Sequence, residues 1–80
     1  MNQTKQTIEF LVMAQQGVKP DDMRKTLDKI QGLEYVRQAP FDCLLYRANQ
    51  AIFETLQATY EKLYGNIIAS VQKNEIKISF

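Results

Sequence analysis

Residues 40–65 read PFDCLLYRANQAIFETLQATYEKLYG, and the assignment of this stretch decides the fold. Pro40 and Gly65 bound a run with no other helix breaker inside it. At ~100° per residue around a helix, Phe41, Leu45, Ala48, Ile52, Leu56 and Leu63 fall on one stripe. Tyr46, Phe53, Tyr60 and Tyr64 fall on a second, rotated by roughly 100°. Together the stripes span roughly 200°, about twice what a helix needs to rest on one core. The pattern predicts one long helix over 40–64, with Asp42 in its first turn where the helix dipole favours a carboxylate. Its spare aromatic stripe is expected to meet a partner.

Working outward, the tail has another rhythm. Folding Ile67–Gln72 back on Glu75–Phe80 around Lys73-Asn74 puts Val71 against Ile76, Ala69 against Ile78 and Ile67 against Phe80. That period of two predicts a β-hairpin over 66–80. The alternative continues the helix through Ile67–Val71 and leaves only the last six residues extended. Upstream, Leu33–Gln38 reads as a short strand or an irregular connector over 33–39. Pro20, Asp21 and Asp22 suit a helix start, with Met23, Leu27 and Ile30 as its stripe and Gly32 as its stop. A first helix over Thr4–Gln16 fits Ile8, Leu11 and Val12 on one face, a cap at Thr4 or Thr7 and a stop at Gly17. A short buried strand competes there, and the glutamines and Met13 favour helix. Residues 1–32 then form a helical hairpin. The expected fold is mainly α (α+β), a single domain over 1–80 with no repeat or linker.

The composition sets bounds. A chain of 80 residues buries only ~60% of its unfolded surface, so it is marginally stable alone. Ten basic and nine acidic side chains give a net charge of +1, without the basic excess of a dedicated nucleic-acid or anionic-membrane binder. The opening Met-Asn-Gln-Thr-Lys lacks a signal-peptide layout, and no apolar run approaches the ~20 residues of a membrane span. With one cysteine and so no internal disulfide, a cytoplasmic location is expected.

The chemistry-bearing residues are sparse. There is no histidine, and one cysteine cannot build a zinc site. Cys43 has Asp42 beside it, an anion that opposes a thiolate. Asp21 and Asp22 are explained by the helix dipole, and Glu54 and Glu61 by a solvated face. Gly17, Gly32 and Gly65 are isolated and form no phosphate loop. The expectation is no enzyme, no metal and no cofactor.

The segment Glu9–Leu27, EFLVMAQQGVKPDDMRKTL, supports two comparisons. Met13, Gly17, Val18 and Met23 stand at helix-turn-helix spacings, although Met13 is large for its position and Asp21 and Asp22 would face the DNA. In that reading Arg24, Lys25 and Lys29 contact nucleic acid. The second comparison rests on Val18, Lys19, Pro20, Asp21, Asp22, Met23, Arg24 and Leu27. In that order they resemble the helical hairpin of the SinI/SinR family of regulators, though that family's early tryptophan has no counterpart here. The resemblance implies a hairpin that pairs with a like hairpin, with Leu11, Val12, Met23 and Leu27 in apolar contact and Arg24 in a polar one.

The sequence therefore predicts a small regulator that acts by binding another protein, such as a bacterial or phage antirepressor or inhibitor of a repressor. A homodimer through Tyr46, Phe53, Tyr60 and Tyr64 or through the hairpin is compatible with this. A helix-turn-helix DNA-binding regulator is the first alternative, and a structural or assembly subunit the second.

Overall fold

The computed structural model describes residues 7–74, in the order β1 (Thr7–Ala14), α1 (Pro20–Leu27), β2 (Glu34–Ala39), β3 (Cys43–Asn49), α2 (Gln50–Tyr64) and β4 (Ile68–Lys73). The strands form one four-stranded sheet in the order β2-β3-β1-β4, with every neighbouring pair antiparallel. β1 and β2 therefore run parallel with β3 between them, and β3 and β4 run parallel with β1 between them. Two interleaved βαβ units make the split-βαβ, or ferredoxin-like, arrangement.

This corrects the mainly α expectation, and the cause is a change of period inside the deciding stretch. In Cys43–Asn49 the residues Leu44, Tyr46 and Ala48 alternate with Cys43, Leu45 and Arg47. Asn49 ends the strand and caps the helix, its Oδ1 accepting from the Ile52 N–H at 2.9 Å. The helix then runs only over Gln50–Tyr64. Wrapping a period of two and a period of 3.6 on one wheel widened the apolar arc.

The helical hairpin over 1–32 is likewise not formed. Its first half is β1, where Phe10, Val12 and Ala14 alternate with Leu11 and Met13. Gln15 and Gln16, which favoured helix, follow the strand. The Gln15 side chain donates to the Gly65 carbonyl at 2.9 Å and ties the β1 end to the α2 end. α1 starts at Pro20 as read but ends at Leu27, short of Gly32. The ambiguous 33–39 segment is strand β2.

The C-terminal hairpin is also corrected. β4 pairs with β1, not with a returning strand, and the Asn74 N–H continues that ladder to the Glu9 carbonyl at 2.9 Å. The pairing passes through the residues read as a turn. The proposed return strand, 75–80, lies outside the described residues, as does Thr4.

Both helices lie on one face of the sheet. Met23 and Leu27 of α1 and Phe53 and Leu56 of α2 share a core with Phe10, Val12, Ala14, Leu44, Tyr46, Ala48, Ile68 and Val71. Phe10 lies at the centre, 5.1 Å from the Phe53 ring and 6.3 Å from the Tyr46 ring, centroid to centroid. Gly32 has φ +95, and a Cβ there would collide with the Ile52 side chain.

The β2–β3 turn is strained. Phe41 (φ 63) and Asp42 (φ 59) are both left-handed, and Phe41 is 88% exposed. A bulky side chain with this backbone costs about 1–2 kcal/mol that a glycine does not. Phe41→Gly is expected to raise the monomer's unfolding free energy by about 1 kcal/mol in urea titrations. Phe53→Ala, which opens the core, should lower it by about 3–5 kcal/mol and unfold much of the population.

Candidate functional site: the helix-free face of the sheet

Alternation along the strands fixes what the opposite face carries. Three buried apolar residues stand apart from the main core: Ala39, Cys43 and Leu45. They belong to the face that neither α1 nor α2 covers, and they are buried there within the chain itself. Cross-strand pairing arranges that face in rows. One row is Glu34, Arg47 and Glu9; the next is Arg37, Leu45, Leu11 and Gln72; the third is Ala39, Cys43, Met13 and Ser70. The first row is an ion triad, with Arg47 3.1 Å from Glu9 and 3.7 Å from Glu34. The middle row is large and partly apolar. The third is small apart from Met13, which is 38% exposed. The strained Phe41 turn follows directly, and the Asp42 carbonyl there accepts from the Ala14 N–H at 3.2 Å.

The predicted partner-binding residues are mostly elsewhere. Val12, Met23, Leu27 and Tyr46 are fully buried, and Phe53 nearly so. They form the core and have no surface to offer a partner. Tyr60 and Tyr64 are half-buried against that core. Of the nine residues read as partner contacts, Leu11 alone lies on the helix-free face. Arg24 stacks over the Tyr35 ring at 3.7 Å and lies 3.5 Å from Asp28, while Lys25 and Lys29 are exposed. These cations follow a strand rather than a first helix, so the helix-turn-helix frame is missing. Met13 was missed as surface, and the signal was its place one residue after Val12 in a strand, where neighbours point to opposite faces.

The sheet edges are blunted. On β4, the Val71 carbonyl accepts from Gln57 Nε2 at 3.1 Å and the Ala69 carbonyl from the Tyr60 hydroxyl at 3.5 Å. Two side chains of α2 thus occupy acceptors that an added strand would need. β2 carries a register shift between Tyr35 and Arg37 and ends at Pro40, both of which discourage strand addition.

Nor is the face built for base stacking. Sheets that bind single-stranded nucleic acid present aromatic rings on their central strands. Here the aromatics of β1 and β3, Phe10 and Tyr46, are in the core, and the alternate positions hold Glu9, Leu11, Met13 and Arg47 with the buried Cys43 and Leu45. Burial, and then the Asp42 carboxylate, push the Cys43 thiol above its ordinary value, which leaves it a poor nucleophile. Among the described residues no group of three His, Cys, Asp or Glu side chains is placed to hold a metal. No helix among them is long and apolar enough to cross a membrane. An apolar groove of ≈ 320 Å³ lies on the helix side, between Ile30 and the Ile52, Leu56 and Leu63 side of α2. In comparisons with protein-family models, curated proteins and solved structures, nothing matches the chain.

Tyr46 has a structural role. Its hydroxyl donates to Asp28 Oδ1 at 3.0 Å, which joins the sheet to the end of α1. Burial, and then this bond to a carboxylate, raise the phenol's pKa above its ordinary 10.0. A raised folded pKa gives stability that is present below about pH 10 and lost as pH rises further. Tyr46→Phe should cost about 1–2 kcal/mol at pH 7 and flatten the alkaline fall in stability, measured by urea unfolding between pH 7 and about pH 12.

Proposed function

We propose that this chain is a non-enzymatic protein-binding domain whose recognition surface is the helix-free face of the sheet. One observation carries the reading. On this face Met13 is 38% exposed and Leu11 half-buried, beside a row of Arg47 with Glu9 and Glu34 at one margin, while Leu45, Cys43 and Ala39 are buried within the chain. An apolar centre with a polar rim is the anatomy of a protein interface. The blunted edges leave the face as the route for a partner, and the absence of aromatics from it among the described residues of β1 and β3 favours protein over single-stranded nucleic acid. Acting by occupancy alone, a domain this small suits an inhibitory or antirepressor role.

Site-specific photocrosslinking in cells that make the protein tests this. A benzophenone side chain at Met13 should give discrete protein adducts, and one at Glu54, exposed on α2, should give few or none. Equal labelling from both positions, or none from Met13, would overturn the reading.

A further inference from the structure

We draw no further inference here: the strongest candidate, the open apolar groove of ≈ 320 Å³ between Ile30 and the Ile52, Leu56 and Leu63 side of α2, carries none because nothing in the structure shows what covers it.

Discussion

The register between β1 and β3 is the constraint on which the rest depends. Phe10 stands opposite Tyr46 and Leu11 opposite Leu45. The first pair points to the helices and organises the core; the second points away and organises the helix-free face. A slip of one residue would exchange the two sets and leave Phe10 and Val12 in water. Because β1 is paired on both sides, its parity also sets that of β4, where Val71 follows Val12 and Ser70 follows Met13. One alignment therefore determines both the hydrophobic core and which side chains the opposite face carries.

Polar side chains close the ends and edges around that alignment. Gln15 holds the exit of β1 to the end of α2, and Asn49 turns β3 into α2 without a loop. Tyr46 and Arg24 both engage Asp28 and so fasten the end of α1 to the sheet. Gln57 and Tyr60 reach from α2 to the outer carbonyls of β4. In a chain this short, apolar burial alone is marginal, and each such bond contributes about 1 kcal/mol. The bonds from Gln57 and Tyr60 also occupy outer carbonyls of β4 that an added strand would need.

How much of this was legible depends on where two signals overlapped. The start of α1 was, because Pro20, Asp21 and Asp22 carry a local signal independent of tertiary context. Gly17 has the left-handed φ expected of it, but it follows a strand and ends no helix, and Gly32 lies beyond the end of α1 at Leu27. The Ile68–Lys73 strand showed its alternation, but its partner was misassigned, since antiparallel pairing with β1 is a long-range choice that a local turn seemed to satisfy. β1 and β3 were obscured because central strands are apolar on both faces, so their alternation fades into an apolar run that also fits a helix. Asn49 was the boundary marker, a capping side chain set between Tyr46 and Phe53, and the wheel absorbed it. The candidate face inherited that error: Tyr46 and Phe53, read as an exposed stripe, became core, and Met13 came to the surface.

The most direct measurement uses methionine methyls as reporters, one on each side of the sheet. Met13 lies on the helix-free face and Met23 is fully buried under α1. In a titration of the methyl-labelled chain with a soluble nitroxide followed by NMR, the Met13 resonance should broaden and the Met23 resonance should stay sharp. Broadening of Met23 with Met13 unchanged, or equal broadening of both, would contradict the account.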